Sequence, residues 1–211
     1  MPLQNRVLPT GEIVADPHRG LLMGNRGCLH GMGRTLGTTR WRSKLWICCV
    51  LKWRDWRRDP MPPGRWTALF FLDEATALSA GHRPCAYCRR ADYVEYGQAW
   101  ARAAGLAQPL MAGELDTALH AERVTRTRQQ VLRPARAAGL PDGVMVQVDG
   151  AAGLMLGGRF RTWTTQGYAD PVRPPATVQL MTPPSSVAAI EAGYRPWLHL
   201  SAGTGAGWRT L

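Results

Sequence analysis

The sequence lacks any long hydrophobic run and, at its beginning, the pattern of a signal peptide. No apolar stretch among its 211 residues approaches the roughly 18 to 20 that a membrane-spanning helix needs. The opening residues, MPLQNRVLPTGEI, do not place a basic group before an apolar segment as a secretory signal does. We therefore expect a cytoplasmic protein with no membrane partner, whose oligomeric state the sequence leaves open.

Lysine and acidic residues are also scarce. Lys44 and Lys52 are the only lysines among 26 basic residues, and 15 acidic residues leave a formal net charge of +11. Guanidinium groups form forked hydrogen bonds with phosphate, so an arginine excess favours a polyanionic partner. A high-GC coding bias explains arginine in place of lysine equally well, but it does not explain the excess over acids. The composition therefore favours nucleic acid as a partner.

The cysteines do not fit a framework of disulfides. They are odd in number, five, and a cytoplasmic chain keeps its thiols reduced. The strongest local motif is Cys85-Ala-Tyr-Cys88, because a two-residue spacer lets both thiolates face one tetrahedral ion. A redox-active pair and reduced core thiols are the alternatives. With Cys28 and Cys49 upstream, the count reaches the four of a closed structural zinc site, and zinc is the expected cofactor.

Strand alternation selects between the adjacent cysteines. The run LWICCVLKW, residues 45–53, predicts a strand that places Cys49 on the face of Ile47 and Cys48 on the other. We therefore predict Cys28, Cys49, Cys85 and Cys88 as metal ligands and Cys48 as a free thiol. His30 is the first substitute ligand.

The order of elements predicts an α+β fold, and 45% hydrophobic residues suffice for a core. A four-cysteine zinc-knuckle module with short strands and helices is expected over residues 1–105. It contains a strand at 66–72, a short helix capped by Asp73, and a helix at 91–104. Residues 106–211 are expected to hold a helix from 114 to 133 that ends near Pro134, and a small antiparallel meander formed by VMVQV, LML and RFRTW.

The chain also contains an internal repeat. The segment LFFLDEATALSAGHRPC, from Leu69, aligns without a gap to MTPPSSVAAIEAGYRPW, from Met181. This predicts a second strand-helix unit that ends in the same Gly-aromatic-Arg-Pro sequence. The second copy has Trp197 and Leu200 in place of the cysteines, so it cannot hold a metal in the same way. The alternative is that the two segments are similar only because many helices end in a glycine cap followed by a proline.

The run FFLDEATALSAGHRPCAYCRR resembles the metal-binding domain of the Ada-type DNA methylphosphotriester repair proteins, over residues 66–90. Cys85 and Cys88 correspond to that family's downstream ligand pair, and Arg83 and Pro84 to its lead-in. The resemblance implies a zinc site of four cysteines, DNA rather than RNA as partner, and an upstream thiolate that accepts a methyl group. The whole chain also resembles a group of bacterial hypothetical proteins that share GNRGCLH, RPCAYCRR and LHAER.

Arginine and tryptophan alternate between residues 34 and 65, and this pattern is typical of nucleic-acid binding. Guanidinium groups follow phosphates while indoles stack on bases. Solvated arginines around a tryptophan core are the plainer interpretation. The candidate contact residues, including three near the Cys-x-x-Cys motif, are Arg40, Trp41, Arg42, Arg54, Arg57, Arg58, Arg83, Arg89 and Arg90.

A second candidate site lies in the segment DTALHAER. Asp116 and His120 are four residues apart on a predicted helix, where the carboxylate can orient the imidazole as a general base. The leading hypothesis is a zinc-stabilised nucleic-acid-binding protein, a candidate DNA repair or modification factor. The alternative is a hydrolase or nuclease-like enzyme that uses His120 with Asp116 or Glu122. A third is a metal-braced interaction protein without catalysis.

Overall fold

The computed structural model describes residues 1–56, 59–203 and 208–210. Within these residues the chain is α+β, with two six-stranded sheets and four α-helices. The strands are β1 (Gln4–Val7), β2 (Ile13–Ala15), β3 (Leu22–Asn25), β4 (Ile47–Val50), β5 (Leu69–Phe71), β6 (Arg83–Pro84), β7 (Arg133–Arg136), β8 (Met145–Val148), β9 (Ala151–Leu156), β10 (Arg159–Thr164), β11 (Gly167–Tyr168) and β12 (Thr177–Leu180). The helices are α1 (Glu74–Ser79), α2 (Arg90–Ala103), α3 (Ala112–Arg123) and α4 (Pro184–Glu191), with a 3-10 helix at Leu200–Ala202.

The first sheet is built from the N-terminal part of the chain, in the order β2-β1-β5-β3-β4-β6. Strand β4 forms within the predicted run 45–53 but is shorter, because only Ile47–Val50 pairs with β3. On its other side β4 pairs in parallel with β6, the two residues before Cys85. This ladder places the Cys-x-x-Cys turn beside the two cysteines of β4.

The second sheet has the order β11-β10-β9-β8-β12-β7 and contains the predicted meander. Strands β8, β9 and β10 pair antiparallel in sequence. Asp149 and Gly150 join β8 to β9 with φ of 48° and 82°, and Gly157 and Gly158 join β9 to β10 with φ of 61° and 66°. Two successive positive φ values give the turn whose twist matches that of the flanking strands.

Helix α3 ends at Arg123, eleven residues before Pro134, so the predicted helix to residue 133 was wrong. Val124 is extended, and the amide of Thr125 donates to the carbonyl of Gln129 at 2.8 Å in a tight turn. Valine and threonine lose side-chain freedom in a helix, which favours the turn. Pro134 lies in β7, which pairs only with β12 at the sheet edge, where a missing N–H is tolerated.

Helix α1 is buried along its whole length. Asp73 caps it by accepting the amide of Thr76 at 2.9 Å, as the sequence predicts. Asp73 also accepts the hydroxyl of Tyr168 at 2.7 Å and the amide of His199 at 3.1 Å. These bonds tie the cap of α1 to the second sheet and to the C-terminal segment.

The internal repeat is visible at the ends of α1 and α4. Gly81 and Gly193 follow the two helices with φ of 83° and 108°. After each glycine, the amide of His82 or Tyr194 bonds the carbonyl five residues earlier, at 2.9 and 3.0 Å. Both helices therefore end in the same glycine cap. The preceding strands differ, since β5 belongs to the first sheet and β12 to the second.

The largest hydrophobic cluster takes residues from both sides of the predicted boundary between residues 105 and 106. Tyr96 and Trp100 of α2 pack in it with Leu115 of α3, Val146 of β8 and Tyr194. Among the described residues, no helix has both the length and the apolar character needed to cross a membrane.

Candidate metal centre and adjoining pocket

Three cysteines meet where β4 lies beside β6. In this parallel pair Cys48 is in register with Pro84, and the amide of Cys85 donates to the carbonyl of Cys48 at 2.9 Å. Cys49, the next residue of β4, therefore lies next to Cys85. Cys88 comes at the end of the turn, directly before Arg89, the N-cap of α2.

The sulfur atoms of Cys49, Cys85 and Cys88 all lie within 4.8 Å of one another, close enough to hold a metal ion. Backbone N–H groups support two of them: the amide of Tyr87 donates to Sγ of Cys85 at 3.4 Å, and that of Val50 faces Cys88. Such donors stabilise negative charge on sulfur. Cys49 and Cys85 are buried, and Cys88 is half-buried.

The three thiols share their protons unequally. Hydrogen bonds from the Cys49 and Cys88 thiols lower the pKa of Cys85. Hydrogen bonds to Cys85 and Cys88 raise the pKa of Cys49, because it is the donor in both. Metal binding replaces the protons that such thiols share, so the cluster is suited to a cation.

Cys28 does not join this cluster, and the predicted four-cysteine set is corrected to three for the described residues. Its thiol points at the carbonyl of His30, at 3.8 Å. His30 is not the substitute ligand either, because its ring nitrogens face Thr67 Oγ1 at 2.6 Å and the carbonyl of Pro62 at 3.1 Å. The loop that contains Cys28 is held against Thr67 and Pro62.

Cys48 lies on the opposite face of β4 from Cys49, as the alternation predicts. It is 1% exposed and packs in the hydrophobic cluster of the first sheet. Nη1 of Arg89 lies 3.6 Å from its sulfur. Burial raises the pKa of the Cys48 thiol, so it stays protonated and unreactive.

A pocket of about 600 Å³ adjoins the cysteine cluster, and all three clustered cysteines line it. Two arginines, Arg6 and Arg19, also reach it. Among the described residues, Nε and Nη1 of Arg6 and Nε1 of Trp53 are buried without a hydrogen-bond partner. The pocket therefore combines thiols, spare donors and aromatic rings. The aromatic lining residues are Trp53, Trp56, Trp66, Phe70 and Tyr87.

Two of the predicted nucleic-acid contacts are internal ion pairs. Arg83 binds both carboxylate oxygens of Asp116, at 2.9 and 2.8 Å, and Arg89 binds Glu74 at 2.7 Å and Asp92 at 3.0 Å. Both guanidinium groups are 1% exposed. Arg83 and Arg89 therefore stabilise the fold, and their prediction as phosphate contacts is corrected.

The remaining predicted contacts lie in different places. Arg54 is exposed beside Trp53 of the cysteine pocket, and Arg90 is exposed at the first position of α2. Arg42 is exposed beside Gly27. Arg40 and Trp41 line a second pocket. Arg57 and Arg58 lie outside the described residues. The interleaved segment thus contributes to two separate surfaces.

The predicted acid-base group is not assembled. Asp116 forms an ion pair with Arg83, and Nδ1 of His120 instead lies 3.1 Å from Nη2 of Arg123. Burial, followed by the charge of Arg123, lowers the pKa of His120. Glu122 accepts the amide of Ser185 at 3.0 Å near the beginning of α4. These three residues serve three different contacts, so the geometry does not provide the proposed general base.

Sequence reasoning missed Arg6 and Tyr87 as lining residues of the cysteine pocket. Tyr87 lies inside the Cys-x-x-Cys turn, so its position next to the thiols was a usable signal. Arg6 reaches the pocket from β1, which pairs with β5. No local pattern indicates that pairing.

Comparison with known proteins found no matching family model, no matching curated protein and no matching solved structure.

Proposed function

We propose that this protein is a zinc-stabilised nucleic-acid-binding protein, in which Cys49, Cys85 and Cys88 hold the ion and the adjoining pocket takes an unstacked base with its phosphate. The observation that carries the proposal is that the three thiols line the same pocket as Arg6 and the aromatic side chains. Thiolate ligands select zinc over the hard cations magnesium and calcium.

The pocket supplies what a single-stranded partner needs. Trp56 is 65% exposed and Tyr87 is 55% exposed, and their ring centroids are 6.3 Å apart. Exposed aromatic rings offer stacking faces to any base, while Arg6 and Arg19 offer charge to the phosphate. A duplex keeps its bases stacked, so we expect single strands to bind more tightly.

The first test is metal content. The purified protein should contain about one zinc per chain, measured by elemental analysis, and Cys85→Ser and Cys88→Ser should each lose it. Cys28→Ser is the matched control and should keep the metal, because its thiol lies outside the cluster. A metal-free wild type with an unchanged melting temperature after chelation would overturn the zinc assignment.

The second test is binding of a fluorescent oligonucleotide, as single-stranded DNA, duplex DNA and RNA of the same sequence. Trp56→Ala and Tyr87→Ala should each weaken single-strand binding by about fivefold or more, since stacking contributes about 1 to 3 kcal/mol per base. Arg19→Ala should also reduce the salt dependence by about one phosphate contact.

The control for these variants is Arg159→Ala. Arg159 is exposed on β10 of the second sheet and does not line the pocket. It should leave affinity nearly unchanged. Equal losses in Arg159→Ala and Arg19→Ala would show that binding follows net charge and not this pocket.

A further inference from the structure

A second pocket lies on the other face of the first sheet. Trp46 precedes Ile47 of β4, and successive side chains of an extended segment point to opposite faces. Ile47 and Cys49 line the cysteine pocket, whereas Trp46 lines a separate pocket of about 500 Å³. That volume falls within the range of ordinary small-ligand sites. The two pockets share no lining residue.

The inner wall of this second pocket contains two buried arginines against one indole. The guanidinium carbons of Arg26 and Arg123 lie 4.0 and 3.8 Å from the centroid of the Trp46 ring. Arg26 is 2% exposed and Arg123 is 3% exposed. Two guanidinium groups therefore pack on the same indole ring, and both are shielded from solvent.

Neither guanidinium forms an ion pair with a described carboxylate. Arg26 donates to Nε2 of His82 at 3.0 Å and to the carbonyl of Gly11 at 2.8 Å. Arg123 donates to the carbonyls of Gly81 and Lys44, each at 2.7 Å. These acceptors are neutral, so they satisfy donors without cancelling charge. The buried Arg83 and Arg89, by contrast, each have carboxylate partners.

Donors are also left over. Among the described residues, Nη2 of Arg26 and Nε of Arg123 are buried without a partner. Nη2 of Arg26 lies beside Gly11, which itself lines the pocket. Burial, followed by the charge of Arg123, lowers the pKa of Arg26 to about 9, so both groups are still charged at neutral pH. Buried charge without a carboxylate partner, together with a free donor beside the pocket lining, indicates an anion-binding site.

The outer wall adds two more arginines and a stacking face. Arg40 and Arg128 line the pocket, and the guanidinium of Arg128 lies 5.6 Å from the ring centroid of Trp41. Trp41 also lines the pocket and packs tilted against Trp46. Among the described residues, Glu12 is the only acidic member of the lining. The pocket thus has positive charge at its base and a flat aromatic surface at its side.

We propose that this second pocket binds a nucleoside phosphate, with the phosphate monoester on the unpartnered Nη2 of Arg26 and the base against Trp41. The same chemical group occurs on a free mononucleotide and at the 5′ end of a nucleic-acid strand. Four arginines converge on one small volume, and a doubly charged phosphate is the compact anion that forked guanidinium donors fit.

The test is calorimetric titration of the full-length protein with AMP, adenosine, inorganic phosphate, and a short oligonucleotide with and without a 5′-phosphate. AMP should bind more tightly than inorganic phosphate or adenosine, because each of those lacks either the base or the phosphate. Tighter binding of the phosphorylated strand than of AMP identifies the strand end as the ligand. Equal affinity for the two strands, with AMP binding retained, identifies the free nucleotide.

The variants are Arg128→Ala and Arg40→Ala, which change exposed or half-buried side chains and spare the core. Each should weaken AMP about tenfold, the effect of losing one charge-assisted hydrogen bond. Arg126→Ala is the matched control, because Arg126 is exposed in the same turn but does not line the pocket. Trp41→Ala should remove the preference for AMP over inorganic phosphate.

Two outcomes would overturn the proposal. One is the absence of AMP and phosphate binding at millimolar concentration in a folded wild type. The other is an equal loss of AMP affinity in Arg126→Ala and Arg128→Ala. Neither outcome involves a cysteine variant, so loss of zinc or of single-strand binding tests the proposed function separately.

Discussion

Cys48 and Cys49 are neighbours in β4, yet their thiols lie on opposite faces of the first sheet. Cys49 contributes to the cluster with Cys85 and Cys88, and Cys48 lies in the hydrophobic cluster against Arg89. The alternation of an extended strand separates the two, so a single ion cannot take both. Cys49 lines the pocket, whereas Cys48 is buried in the core.

This separation predicts different metal contents for two matched variants. Cys49→Ala should lose the metal, because only two clustered thiols remain. Cys48→Ala should retain it, with a modest loss of stability from the small cavity and the lost contact to Arg89. Elemental analysis of both purified variants makes the comparison. The reverse pattern would mean that the metal lies on the core face of β4.

The sequence was sufficient to predict the cluster only in part. The Cys-x-x-Cys spacing and the alternation of residues 45–53 are local patterns, and they led to three of the four predicted ligands. The error at Cys28 came from counting cysteines toward four. Its loop is held by His30 against Thr67 and Pro62, and such long-range contacts leave no periodic signal.

The arginines show a second limit of sequence reasoning. An excess of arginine over acid predicts exposed positive charge, but the chain places several acids inside to pair with Arg83 and Arg89. Arg26 and Arg123, distant in sequence, meet at Trp46 without an acid. Which arginines have partners is decided by tertiary contacts, so composition cannot distinguish a fold-stabilising arginine from a ligand-binding one.

The buried pair of Glu74 and Arg89 should be important for stability. Glu74 accepts Arg89 at 2.7 Å, the Tyr194 hydroxyl at 2.6 Å and the Trp197 amide at 2.9 Å. Glu74→Gln removes one of the two charges that compensate Arg89, the other being Asp92, and we expect a loss of about 3 kcal/mol in the free energy of unfolding, measured by urea denaturation.

The control for that variant is a surface pair of the same type. Glu95 binds Arg209 at 2.6 Å, with side-chain exposures of 42% and 38%. Solvent screens such a pair, so Glu95→Gln should cost no more than about 1 kcal/mol. Equal costs for Glu74→Gln and Glu95→Gln would contradict the assigned role of the buried network.

His82 should make the protein less stable in mild acid. Burial, followed by the charge of Arg26, lowers the pKa of His82 well below 6.5, while Nδ1 faces the carbonyl of Ile47 at 3.1 Å. Below about pH 6.5 the unfolded chain binds a proton that the folded chain excludes. The stabilising contribution is therefore complete above that pH and falls by up to about 1.4 kcal/mol per pH unit as the pH decreases.

The measurement is urea denaturation between pH 7.5 and 5.5 for the wild type and for His82→Gln. Glutamine keeps one donor and one acceptor but does not titrate in this range. Its stability should fall less steeply with decreasing pH than that of the wild type. Parallel curves would show that other groups cause the pH dependence, and His82 would then have no measurable part in it.

The two glycine caps give a matched pair for the last prediction. A methyl group on Gly81 would lie 2.4 Å from Cδ of Arg123, whereas on Gly193 the nearest atom would be Nη2 of Arg102 at 3.9 Å. Both positions have positive φ, so alanine costs about 1 to 2 kcal/mol of backbone strain at each. Gly81→Ala must also displace the Arg123 side chain, which adds about 1 to 3 kcal/mol of overpacking. Urea denaturation should therefore show a larger loss in Gly81→Ala than in Gly193→Ala, and AMP titration should show weaker binding in the first alone. Equal stability losses with unchanged AMP affinity in both would mean that the position of Arg123 is not fixed by this cap.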